Sequence, residues 1–214
     1  QQAGSLDFDR ELLKLHARAM VVSAVAVPLL VLTAAAAGRL AGLDNQIIIW
    51  AFSMLLCYAI VAFMSRRVER TEAAELDPAQ TRRDFLIGHF LCGLGWAWFA
   101  GVGCDTCQID LFHVAKAMVL LVAMAMTAVM ASSLGGALFA TFAIPVAVYV
   151  YTIARLWTPI EAIMAALLIA ALPFFGYVAR HLNQASLMML SFRSEKDALI
   201  AEVETAKSMS DEAR

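Results

Sequence analysis

The sequence predicts an all-α, polytopic membrane protein with six transmembrane helices, the last of which continues into a cytoplasmic parallel coiled coil. Three observations predict it. Hydrophobic residues make up 62% of the chain and charged residues 16%, with a mean hydropathy of +0.74, well beyond the roughly half-apolar composition of a soluble domain. Apolar runs long enough to cross a hydrocarbon layer of about 30 Å recur along the chain. After the last of them, apolar residues fall into alternating steps of three and four, the spacing of a coiled-coil seam.

Residues 1–18 read as a cytoplasmic N-terminal segment. Phe8, Leu12, Leu13 and Leu15 stand there among charges, which suits an amphipathic helix on the inner leaflet or, equally, a solvated leader. This polar opening lacks the basic region and apolar core of a signal peptide, so no cleavable leader is expected and the first span stays as an anchor. Residues 19–179 form the six-helix transmembrane domain, with spans at about 19–38, 46–64, 85–102, 114–132, 138–154 and 160–178. Thr158-Pro159-Ile160-Glu161 is a capping box with proline in the first helical position, which starts the sixth span. Asp77-Pro78-Ala79-Gln80 repeats the device and starts the third helix before it reaches lipid.

The basic residues orient this layout. Of sixteen Lys and Arg, only Arg39, Lys116 and Arg155 fall on one side, and the other thirteen share the opposite side. The positive-inside rule then puts both termini in the cytoplasm of a bacterial inner membrane protein, in keeping with an even number of spans. Trp50, Trp96, Trp98 and Trp157 lie toward the outer ends of their spans, as indoles at a membrane interface do. All loops are short except 65–83 inside and 103–112 outside, so any stimulus must be read within the bilayer or at its outer rim.

Residues 180–214 form the coiled coil. Leu182, Ala185, Met189, Phe192, Lys196, Leu199, Val203, Ala206, Ser210 and Ala213 make its seam, broken only by Lys196 and Ser210, while Glu195, Asp197, Glu202, Glu204 and Lys207 fall off it. A stripe of this kind calls for a homodimer.

Some side chains invite chemical readings. Cys104-Asp105-Thr106-Cys107 lies in the outer loop, where two cysteines so spaced can close a small disulfide, act as a redox pair or, with Asp110 and His113, ligate a soft metal. Gln108 after the second cysteine excludes a haem-attachment motif. His89 sits about one turn inside the third span, and an ionisable group at membrane depth is a candidate by default. It could hold a lipophilic or quinone headgroup with Trp96 and Trp98, or could be a neutral imidazole bonded to a neighbouring helix. A bis-histidine haem is disfavoured, because His16 and His181 lie at or beyond the inner boundary and His113 at the opposite face.

Cys57 and Cys92 read as packing residues, and so do the methionines at 118, 124, 126 and 130. The small residues Gly93, Ala97 and Gly101, and Ala34, Gly38 and Gly42, permit close helix packing. Pro28, Pro145 and Pro173 each remove a backbone donor inside a span. Pro173 lies in the helix that feeds the coiled coil, where it can act as a hinge. No nucleotide loop, nucleophile–base pair, zinc helix or paired-carboxylate site is present, and the spans carry too little charge for a transporter. No catalytic residue, cofactor, metal centre or nucleic-acid partner is expected of this chain.

The terminal segment from Arg193-Ser194-Glu195-Lys196-Asp197-Ala198-Leu199-Ile200 to Ala213-Arg214 resembles the linker helix of bacterial sensor histidine kinases. The six-span region resembles, in architecture, the input modules of alphaproteobacterial hybrid kinases of that family. The resemblance implies that a kinase domain follows the coiled coil, with a response regulator as its downstream partner. Pro173, Phe192, Lys196, Leu199, Val203 and Ala206 would then carry the signal. Similar modules also precede diguanylate cyclase domains. A small membrane redox or quinone-binding protein built on Cys104, Cys107 and His89, or a scaffold that recruits partners through its coil, are the readings from other classes.

Overall fold

Local punctuation sets the helix boundaries in the computed structural model, which describes residues 2–103, 109–154 and 158–212. The helices are α1 (Gln2–Val22), α2 (Ala26–Leu40), α3 (Gln46–Arg70), α4 (Pro78–Gly101), α5 (Ile109–Met130), α6 (Ala137–Ile153) and α7 (Pro159–Glu212), with a 3₁₀ turn at Ala73–Glu75. No strand occurs among the described residues. Asp77 caps α4 as its sequence predicts: its carboxylate accepts from the backbone N–H of Ala79 at 3.0 Å and of Gln80 at 3.5 Å, with Pro78 following. Gly136 holds a left-handed φ of 93° just before α6, a conformation that a Cβ would strain.

Three helices are long and apolar enough to cross a membrane: Gln46–Arg70, Phe112–Met130 and Pro159–Met189. A fourth span results if Asp9–Val22 and Ala26–Leu40, bent by 42°, count as one. The sequence places six spans, and the difference lies in α4 and α6. The first carries charges in its opening turns and then Gly88, His89, Gly93 and Gly95, while the second has only 17 residues. These two pack on each other more extensively than any other pair, while Ile87, Leu91 and Trp98 of α4 and Phe139 and Tyr151 of α6 stay exposed on their outer faces. At Gly93 a Cβ would sit 2.5 Å from the Thr141 carbonyl oxygen, so the small residue is what lets the backbones meet.

The first predicted span is broken at residues 23–25 rather than bent at Pro28. Ser23 Oγ bonds back to the Ala19 carbonyl there. Pro28 falls in the first turn of α2, where a missing N–H costs nothing. The apolar face of α1 turns out to be part of the bundle: Leu13, His16, Ala17 and Met20 are buried, and the helix packs on α3 and α4. Arg10 Nε also donates to the Leu76 carbonyl at 3.1 Å.

Trp50 and Trp96, placed by the sequence at the membrane interface, are fully buried. Trp50 Nε1 donates to the Gly95 carbonyl at 2.8 Å and Trp96 Nε1 to the Tyr58 hydroxyl at 3.1 Å. With Phe99 and Phe142 they form an aromatic core between α3, α4 and α6. A buried indole needs a partner for its N–H, and neighbouring helices supply it here where the interface would otherwise. Trp98 alone of these three faces outward, and Trp157 lies outside the described residues.

Helix α7 runs unbroken through Pro173 for 54 residues, a length of roughly 80 Å at 1.5 Å per residue. Its first part packs against α5 and α6. Gly176 fits under the Phe139 ring, which an added Cβ would meet at 2.9 Å. Farther on, Met188, Met189, Phe192, Leu199, Ile200 and Val203 are all exposed.

Candidate functional site

The head of α7 is anchored in a buried polar network that joins it to α4, α5 and α6. Its first turn is fixed by the predicted capping box: the Thr158 N–H donates to Glu161 Oε2 at 3.1 Å, and the Glu161 N–H to Thr158 Oγ1 at 3.3 Å. This cap aims the carboxylate inward, where Glu161 is 1% exposed. Glu161 Oε1 meets His113 Nδ1 at 2.5 Å. His113 and Lys116 stand three residues apart on α5 and so share a face. The Tyr149 hydroxyl of α6 donates to the His113 carbonyl at 3.0 Å.

Lys116 is 3% exposed. Its Nζ donates to the carbonyls of Ala100 at 3.1 Å and Val102 at 2.9 Å, in the last turn and at the C-cap of α4, where the helix dipole is negative. The ammonium also lies 4.8 Å from the centroid of the Phe112 ring, within cation–π reach. Two clefts open onto this network. One of about 390 Å³ is walled by Ala34, Gly38, Phe99, Phe112 and Val119, with Lys116 as its charged group. The other, of about 250 Å³, is walled by Ile153, Ala162 and Ala165 and reaches Glu161. An apolar ligand with a carbonyl or acidic head finds apolar walls and a single cation in the first cleft, the make-up of a small-molecule site.

A second buried polar site lies between α1, α4 and α6. His89 on α4 is 4% exposed, and its Nδ1 is 3.2 Å from Thr141 Oγ1 on α6. His16 on α1 is fully buried, with its ring centroid 5.5 Å from that of His89 and 4.8 Å from that of Phe85. The sequence separated these two histidines by depth; the packing of α1 against α4 brings them side by side.

The residues predicted to bind a ligand do not converge. His89 and Trp96 are two turns apart on one buried face of α4, the indole is sealed in the aromatic core, and Trp98 points away from both. Cys104 and Cys107 lie outside the described residues, as does the side chain of Asp110. Of the transmission residues, Pro173, Phe192, Lys196, Leu199 and Val203 all lie on the exposed surface of α7. Ala206 lies on the same helix.

Lys116 and Glu161 are not among the site residues that the sequence suggests, because Lys116 reads as a charge at the outer end of a span and Glu161 as the last residue of a capping box. A signal was present: His113 and Lys116 share a helical face in an otherwise apolar segment, and a capping-box glutamate opens a lipid-length helix. No protein-family profile, curated protein or solved structure matches the chain.

Proposed function

We propose that this chain is the membrane-embedded signal-input and dimerisation module of a two-component sensor histidine kinase, seated in the bacterial inner membrane with both termini in the cytoplasm. One observation carries this reading. A single continuous helix, α7, has its head in a buried network beside an apolar cleft and its far end covered with exposed apolar residues. In this reading α1 and α2 together cross the bilayer once and α3 to α7 once each, giving six spans.

The far end of α7 pairs with that of a second copy as a parallel coiled coil. A lipophilic or quinone ligand in the cleft, or the state of the bilayer, acts on the head of the helix. Such a stimulus shifts two arrangements of the bundle only by its differential affinity for them. Pro173 provides the hinge through which the shift reaches the coil as rotation, tilt or a change of register. Lys196 and Ser210 on the seam weaken the zipper and keep both states within reach. The output is autophosphorylation by a kinase domain outside this chain, followed by transfer to a response regulator.

The test is phosphorylation of the full-length gene product in isolated membranes with labelled ATP. The expected product is acid-labile and base-stable, as a phosphohistidine is, and its level changes in Pro173→Ala. A full-length product without acid-labile phosphate would overturn the kinase reading, and a cyclic dinucleotide formed from GTP would assign the same module to a diguanylate cyclase.

A further inference from the structure

We propose that His16 and His89 form a buried, low-coordinate binding site for copper(I). The hydrogen bonds around His89 fix its tautomer. Thr141 Oγ1 sends its own proton to the Ala137 carbonyl at 2.8 Å, so at 3.2 Å from His89 Nδ1 it acts as acceptor and the imidazole proton sits on Nδ1. His89 Nε2 is left with a bare lone pair, and it has no protein hydrogen-bond partner. Both ring nitrogens of His16 also lack one. Three unpartnered nitrogens on two adjacent, buried rings are costly unless something engages them. A histidine whose far nitrogen is held by a second residue is the usual arrangement of a metal ligand.

The spacing suits a shared ion. With metal–nitrogen bonds of roughly 2 Å, two imidazoles on one ion hold their ring centroids about 6 Å apart, and the centroids here are 5.5 Å apart.

The surroundings select the metal. Phe85 packs edge-on against His16, Leu13 and Ala17 are buried beside it on α1, and one turn along the same helices stand Met20 on α1 and Cys92 on α4, both buried and in one cluster. Among the described residues no three His, Cys, Asp or Glu side chains gather as a metal cluster. A divalent ion would therefore keep an uncompensated double charge in an apolar interior. A monovalent ion that accepts two nitrogens, with thioether and thiol sulfur close by, meets both constraints, and copper(I) is the biological ion of that softness. Binding requires no change of oxidation state and holds whether or not the bundle signals.

The test uses the whole chain with Cys104→Ser and Cys107→Ser, which removes the other soft-ligand motif. The protein is purified in detergent and loaded anaerobically with copper(I) against a chromogenic chelator. The expected result is about one copper per chain, with an X-ray absorption spectrum showing two nitrogen ligands and imidazole outer-shell scattering. His16→Gln and His89→Gln should each abolish chelator-resistant binding. Thr141→Ala, which leaves both rings in place, should weaken it by about 10- to 100-fold. Copper held equally well by both histidine variants, a sulfur-only spectrum, or no copper retained by the parent would each overturn the site. Should a histidine variant fail to fold, the spectrum of the parent decides alone.

Discussion

Glu161 Oε1 lies 2.5 Å from His113 Nδ1, so the first turn of α7 is tied to the body of α5. The same carboxylate completes the capping box with Thr158. One side chain therefore both starts the longest helix and fixes where its head sits.

Removing one member of a buried hydrogen-bonded pair leaves the other without its partner, at a cost of about 1–3 kcal/mol and more where the stranded group is charged. Glu161→Ala should accordingly lower the melting temperature of the purified protein strongly, and His113→Ala should do so by a similar amount. The double variant should be less destabilised than the sum, with a coupling of about 0.5–3 kcal/mol as contacting residues give. Strict additivity in this cycle would show that the two groups do not act as a pair.

The contact between α4 and α6 rests on Gly93. An alanine there must push its methyl to 2.5 Å from the Thr141 carbonyl, whereas at Gly103 a Cβ meets nothing within 4 Å. Gly93→Ala is expected to cost about 1–3 kcal/mol by overpacking, and Gly103→Ala to stay within about 0.5 kcal/mol of the parent. Thermal unfolding of the two variants side by side measures this. Equal shifts would mean that the helices are not in the close contact described.

Much of the fold was legible because helix signals are local. Asp77 and the Thr158 to Glu161 box announced α4 and α7, and both caps form as their sequences predict. The membrane character followed from composition, which three to four helices of sufficient length and apolarity bear out. What stayed hidden depends on which helix faces which. Trp50 and Trp96 share the composition of an interface belt and belong instead to the core, since only packing decides whether water or a neighbour satisfies an indole N–H. His16 looked shallow because depth was counted along the sequence, while α1 leans into the bundle and carries its ring to His89. Lys116 reads as a charge at the outer end of the span 114–132, and the carbonyls that hold it come from the C-terminal end of another helix.

The central claim is that the exposed seam of α7 pairs with its counterpart in a second, parallel copy and so carries motion from the network at its head. Single cysteines placed one at a time from residue 182 to 210, in a cysteine-free background in native membranes, test it most directly. Oxidative crosslinking should recur in steps of three and four, with maxima at Leu182, Met189, Phe192, Leu199 and Val203, and it should collapse when Leu199 or Val203 elsewhere on the seam is replaced by Asp. Crosslinking that is absent, or equal at every position, would contradict a coiled-coil homodimer and with it the route by which α7 transmits a signal.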